Sequence, residues 1–230
     1  MSNTRVRPLF LLIVVAALSA QADPGTYSAK EIRGRVVDGI SGEPLAGVIV
    51  VAQWELVREV IPGMINKSYG DVLKTVEVVS GADGGYTIPA WGPMLRPPLF
   101  HLEEVDPALE LFKPGYYPRH VTNPIRAGYS RDSVRVSQWD GATIPLRKFT
   151  GQPQEYLEDN GQLKATVRVQ GTLEEYANKL STLQVYLHWQ KESDDWKNFP
   201  RMVAALEKER ERLLAAGLAP KYQIQKAREK

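Results

Sequence analysis

The chain has no cysteine and only three histidines among its 230 residues, and these shortages exclude a good deal of chemistry. Without Cys there is no disulfide and no thiolate nucleophile, and the lipid-bearing Cys of a bacterial lipoprotein is absent, so the fold must be held by its core alone. No Ser lies in a Gly-x-Ser-x-Gly elbow, and there is no glycine-rich phosphate loop, internal repeat or low-complexity tract. Long apolar runs are scarce as well. The N-terminal stretch Leu9 to Leu18 follows Arg5 and Arg7 and precedes Ala20-Gln21-Ala22. A basic start, a short apolar segment and an Ala-x-Ala site predict a signal peptide over residues 1–22, cleaved before Asp23, because a membrane span needs about 20 apolar residues.

Charge of one sign is also missing. Removing residues 1–22 takes two Arg from 29 basic residues and nothing from the 27 acidic ones, so the formal charge falls from +2 to zero. A neutral chain lacks the electrostatic footprint of a nucleic-acid binder and gives no reason to adhere to an anionic membrane. An apolar content of 43% with 24% charged residues is that of a globular protein, and export places it in the periplasm or outside the cell.

What is present is β-grammar. Ile32-Arg33-Gly34-Arg35-Val36-Val37-Asp38 leads through Ser41-Gly42-Glu43-Pro44 into a continuous apolar run, Val48 to Ala52. The turn between them predicts a hairpin, and the run predicts a central strand covered on both faces. Leu73 to Val79 alternates, with Val76 and Val78 the inward pair, and Asp83-Gly84 supplies a positive-φ turn into Tyr86-Thr87-Ile88. Pro93, Pro97 and Pro98 mark an irregular loop or an edge. Leu99–Glu104, Ala108–Phe112, Ser133–Val136 and Thr143–Leu146 complete the strands, with Val134, Val136, Ile144 and Leu146 expected inward. The segment Gly34-x-Val36-x-Asp38, the segment Pro44-Leu45-x-Gly47-x-x-Val50, the Asp83-Gly84 turn before Tyr86, and Lys113-x-Gly115-Tyr116 together resemble the carboxypeptidase regulatory-like domain over residues 31–148. That resemblance implies an antiparallel transthyretin-like (prealbumin-like) β-sandwich, here spanning 23–149, and an accessory role without catalysis.

Beyond Gly151-Gln152-Pro153 the period changes to three or four, predicting a helical extension over 150–230. One helix is expected from Thr172 to His188, with Leu173, Tyr176, Leu180, Leu183 and Leu187 as its stripe. A second starts near the cap Asn198 and Pro200, carries Met202, Val203, Leu206, Arg210, Leu213 and Leu214, and stops at Gly217. Its other face alternates charge, pairing Glu207 with Arg210 and Glu209 with Arg212. The stripe either docks on the sandwich or presents Trp196, Phe199, Val203 and Leu206 to a partner such as an envelope protein.

No catalytic residue, cofactor site or metal site emerges. His101-x-x-Glu104 matches a zinc-carboxypeptidase spacing, with His120 or His188 as an imagined third ligand, but a four-residue pattern recurs by chance. The pairs Asp194-Asp195 and Glu158-Asp159 are expected at helix starts. Aromatics are the remaining binding candidates. Trp91 and Trp139 in loops, with Tyr116 and Tyr117 nearby in the chain, form the candidate surface for a glycan or peptide.

Overall fold

The computed structural model describes residues 25–59, 67–102, 106–122, 132–152, 154–159, 164–188 and 195–218. The expected signal segment, the connection 60–66 and Ala219 onward lie outside them. Among the described residues thirteen strands and two α-helices follow in order: β1 (Thr26–Ala29), β2 (Ile32–Asp38), β3 (Ile49–Glu59), β4 (Lys67–Val79), β5 (Gly85–Ile88), β6 (Trp91–Leu95), β7 (Phe100–Leu102) and β8 (Ala108–Phe112). These continue as β9 (Arg119–Val121), β10 (Val134–Arg135), β11 (Thr143–Leu146), β12 (Gln154–Asp159), β13 (Lys164–Val169), α1 (Leu173–His188) and α2 (Pro200–Ala215).

The apolar run from Val48 becomes the spine. Side chains alternate across a strand, so a run that is apolar at every position must be covered twice. Val50, Ala52 and Trp54 enter one core, while Ile49 and Val51 enter another. In its sheet β3 pairs with β4, β7 and β8, all antiparallel, and β9 extends the far edge. The first core is closed by two smaller sheets, β11-β2-β5 and β10-β1-β6, which contribute Tyr27, Ile32, Val36, Tyr86, Ile88 and Ile144. The molecule is thus mainly β, a sandwich of largely antiparallel sheets, with parallel pairings between β2 and β11 and between β1 and β10.

The turn residues reverse the chain where the sequence places them, but the strands they join do not pair with each other. β2 bonds to β5 and β11, not to β3. Asp38 Oδ1 accepts from the N–H groups of Ile40 and Ser41 at 2.9 and 3.0 Å, Val37 bridges Pro44, and the chain then crosses to the opposite sheet. The Asp83-Gly84 turn makes the same crossing from β4 to β5. Local chemistry sets the reversal, whereas the partner is set by the faces that must be buried. Gly84 has φ +76°, and a Cβ there would lie 2.4 Å from the Val36 carbonyl oxygen, which accepts from Leu45 N–H; the two crossings therefore meet at this glycine.

The second core lies under the helices. Tyr176, Leu180, Leu183 and Leu187 of α1 and Met202, Leu206 and Leu213 of α2 are buried with Ile49, Val51 and Phe112. An aromatic group joins the layers: Tyr176 stacks on Phe149 at 4.5 Å and meets Tyr117 edge-on at 5.4 Å. Thr172 Oγ1 accepts from Glu175 N–H, and Glu175 accepts from Gln170 and Gly171, so α1 starts with a reciprocal cap. The N-cap of α2 is Phe199, not Asn198, and its hydrogen-bonding cap comes from the sheet: Glu77 of β4 accepts from Arg201 and Met202 N–H at 3.2 and 2.8 Å. Gly217, with φ +93°, follows the end of α2.

Further expectations are corrected. Val134 and Val136 are 45% and 56% exposed, and Arg135 between them is the inward residue, 1% exposed, with its guanidinium over the Tyr27 ring at 5.1 Å and Nη2 donating to Leu102 O. Strand parity thus runs opposite to hydrophobicity there, because an edge next to β1 offers Arg a carbonyl and a ring. Glu209 replaces Arg210 in the buried stripe, its carboxylate held by Arg212 at 2.6 Å beside the Tyr176 hydroxyl. The extension is not purely helical, since β12 and β13 form a hairpin, and Glu158-Asp159 ends a strand instead of starting a helix. β3 and β4 also run further into the expected connection, to Glu59 and from Lys67, with register shifts that leave Leu73 and Gly70 of β4 without an opposite residue.

Leu206→Ala is expected to cost about 2–5 kcal/mol in urea unfolding, whereas Val136→Ala stays within about 0.5 kcal/mol. A large effect at Val136 and a small one at Leu206 would reverse the assignment of faces.

Candidate functional site

On its helix-facing side the central sheet is apolar at one end and polar at the other. Val51 and Phe112 belong to the apolar end. One step along β8 comes Glu110, in register with Val51 on one side and His120 on the other. It is 1% exposed, since α1 covers the sheet here, and the His120 ring Nδ1 is hydrogen-bonded to Oε1. Oε2 has no hydrogen-bond partner. A buried carboxylate left half satisfied is costly, and the usual remedies are a proton or a ligand.

A pocket of 270 Å³ opens beside this pair, between β9, the start of the segment after β11, and α1. Glu110 and Tyr117 line its interior, and Arg119, Arg147 and Lys179 bring positive charge to it. Leu146, Leu183, Pro118 and Pro145 supply apolar wall. Arg119 is anchored by Nη1 donating to Pro145 O at 3.0 Å, and Arg147 lies over the Tyr117 ring at 5.8 Å. Tyr117 is 4% exposed, and its hydroxyl, like Glu110 Oε2, has no partner. Burial pushes that hydroxyl up to about 12, so it is a neutral donor at neutral pH. Thr182 also lines the pocket, but its hydroxyl donates to Asn178 O at 2.9 Å.

Burial pushes the Glu110 carboxyl up to about 7 against the opposing pull of His120, and Glu110 in turn holds His120 above its ordinary value despite desolvation. Glu55 on β3 adds a second carboxylate to this field. Bonded to each other, the two groups titrate as one coupled pair.

Of the aromatic residues singled out from sequence only Tyr117 lines this pocket, and His120, imagined there as a metal ligand, lines it too. Tyr116 turns the other way, its hydroxyl donating to Asp38 Oδ2 at 3.2 Å. Trp91 packs edge-on against Trp54 at 5.1 Å, in β6 at the edge of its sheet. Trp139 packs on the first core, with Nε1 donating to Pro107 O at 3.0 Å, above an Asp106 carboxylate that accepts from Ser137 and Gln138. Tyr117 is buried in the second core, while Trp91, Trp139 and Tyr116 are partly buried and packed against the first. Phe199 and Leu206, expected on a partner-facing stripe, are both 0% exposed, and Val203 is half-buried beside them; the stripe is spent covering the sheet. The Trp196 side chain lies outside the described residues. His101 sits on β7, away from the polar row, and Glu104, Asp194 and the His188 side chain are also outside. Among the described residues no three His, Cys, Asp or Glu side chains are grouped to hold a metal ion, and no helix is long and apolar enough to cross a membrane.

Sequence reasoning missed Glu110 and gave His120 only a passing metal role. The available signal was the single acid inside the otherwise apolar Ala108-Leu109-Glu110-Leu111-Phe112.

No family model matches the chain, and no curated protein matches it. Among solved structures it is similar to the group B streptococcus pilus 2b backbone protein, with 18% identity over 52% of this chain and a TM-score of 0.26. The chain covers 41% of that protein, less than half its length. It is also similar to a streptococcal ancillary pilin, with 17% identity, 52% of this chain, 29% of that one and a TM-score of 0.24. A third is the 3-chlorocatechol 1,2-dioxygenase from Rhodococcus opacus 1CP, with 14% identity, 64% of this chain, 72% of that one and a TM-score of 0.26. Likeness at this level assigns neither a family nor an activity.

Both members of the pair bind protons more tightly folded than unfolded. Their contribution to stability is therefore complete below about pH 4.5, where Glu110 titrates unfolded, and is lost as pH rises through about 7. Glu110→Gln is expected to flatten the fall in melting temperature between pH 5 and 8 and to gain on the parent as pH rises. Parallel profiles for the two proteins would show that Glu110 titrates normally.

Proposed function

We propose that the chain is an exported β-sandwich module of the cell envelope, of the carboxypeptidase regulatory-like type suggested by its motifs, and that it acts by binding rather than by catalysis. One observation carries the binding reading: a pocket of 270 Å³ between sheet and helix sets Arg119, Arg147 and Lys179 beside an apolar wall of Leu146, Leu183, Pro118 and Pro145. Ligand sites are concave and mostly apolar with a few placed polar groups, and this pocket has that make-up. The segment 1–22 supports export.

Several features favour binding over turnover. Glu110 and His120 are bonded to each other, the Thr182 hydroxyl is committed to its own helix, and neither serine nor cysteine lines the pocket. The alternative is a glycan or peptide held on loop aromatics, with Trp91 and Trp139 partly buried against the first core.

Native mass spectrometry of the full chain recovered from an exporting host tests this reading. The expected result is a processed chain beginning at Asp23 that carries a small-molecule adduct, with the adduct lost in Thr182→Trp, a bulky residue at an exposed position of the pocket wall. An unprocessed chain would remove export, and an empty pocket in envelope extract would remove binding.

A further inference from the structure

The charges and surfaces of the pocket restrict what can fill it, on the premise that it is a binding site. Its lining carries three cations, Arg119, Arg147 and Lys179, against one acid, Glu110, and that acid is bonded to His120. A cationic occupant would add like charge to three fixed cations, and a neutral one would leave them unanswered. An anion answers them. A small inorganic anion fits the charge but not the surface, because Leu146, Leu183, Pro118 and Pro145 would then face a strongly hydrated ion. A volume of 270 Å³, below the roughly 300–1,000 Å³ of drug-sized sites, limits the occupant to a small molecule.

The geometry points to a small aliphatic monocarboxylate as the ligand, its carboxylate among Arg119, Arg147 and Lys179 and its hydrocarbon end against Leu146, Leu183 and Pro118. Two of the cations are set in place by the fold itself. Arg119 is half-buried and held by Nη1 on the Pro145 carbonyl, and Arg147 is half-buried and lies over the Tyr117 ring. Both guanidiniums therefore lose little freedom on binding, and a guanidinium fork matches the two oxygens of a carboxylate. Lys179 adds a point charge from an exposed position on α1. Glu110 Oε2 and Tyr117 Oη are buried beneath the pocket surface and make no contact with the occupant. A second carboxylate on the ligand would have to be desolvated against the apolar wall, so the wall favours a monoanion.

Calorimetric titration of the purified full chain at pH 7.5 with 4-methylpentanoate, 4-methylpentanamide, 3-methylbutylamine, acetate and inorganic phosphate tests the assignment. 4-Methylpentanoate should bind. The amide and the amine should be weaker by about tenfold or more because they lack the carboxylate, and acetate and phosphate by as much because they lack the hydrocarbon. Lys179→Met, at an exposed position that does not threaten folding, should weaken 4-methylpentanoate about threefold and leave the amide nearly unchanged. Thr182→Trp, also exposed, should remove carboxylate binding and so place it in this pocket. Equal affinity for 4-methylpentanoate and its amide would overturn the assignment, as would equal affinity for acetate, binding that survives Thr182→Trp, or no binding of 4-methylpentanoate. If the mass-spectrometric adduct is present but is not a carboxylate, only this assignment fails; if the pocket is empty there as well, the binding reading fails with it.

Discussion

A strand that is apolar on both faces needs two covers, and the rest of this molecule follows from that need. Val50, Ala52 and Trp54 are covered by the small sheets around β1 and β2, and Ile49 and Val51 by the helices. The second cover is covalently remote, lying more than a hundred residues along the chain, yet it is part of the same packing problem. Tyr176, Phe149 and Tyr117 lock it to the sheet, and the Tyr176 hydroxyl accepts from Gly115 N–H and donates to Tyr116 O, both in the turn between β8 and β9. Glu77 performs the same service for α2, supplying from β4 the acceptors that its first turn lacks.

The cover also creates the chemistry. A glutamate on β8 would be unremarkable on an open sheet face, but α1 closes over it and turns Glu110 into a buried carboxylate with one oxygen unpaired. His120, opposite it in register, is the neighbour that makes this tolerable. The pocket is the space left where the apolar stripe of α1 gives way to Lys179 and Thr182, and the cations from the strands and α1 gather there.

Much of the sandwich was legible because its signals are local. The continuous apolarity of Ile49 to Ala52 announced a strand with two buried faces, and Asp83-Gly84 announced a turn that only glycine fits. Pairing was less legible: the turn after Asp38 looks like a hairpin, because turn residues encode reversal and say nothing about which sheet receives the next strand. Arg135 was invisible for a different reason. Its two valine neighbours mimic an inward pair, and only the Tyr27 ring and the Leu102 carbonyl, both distant in sequence, reveal that the arginine points in. Glu110 escaped for the same cause, since its burial depends on a helix that begins at Leu173. Trp91 and Trp139 occupy Pro- and Gly-rich contexts typical of surfaces, and both rings are partly buried against the first core, a contact that depends on residues distant in sequence.

The claim that sheet and helices share one core is tested most directly by native-state amide hydrogen exchange in rising denaturant, comparing Leu206 in α2 with Val51 in β3. The account predicts that both amides exchange through the same global unfolding, their free energies falling on one denaturant line. If Leu206 instead exchanges through a separate opening of lower energy while Val51 stays protected, the helices are an appendage, and the buried carboxylate and its pocket lose their physical basis.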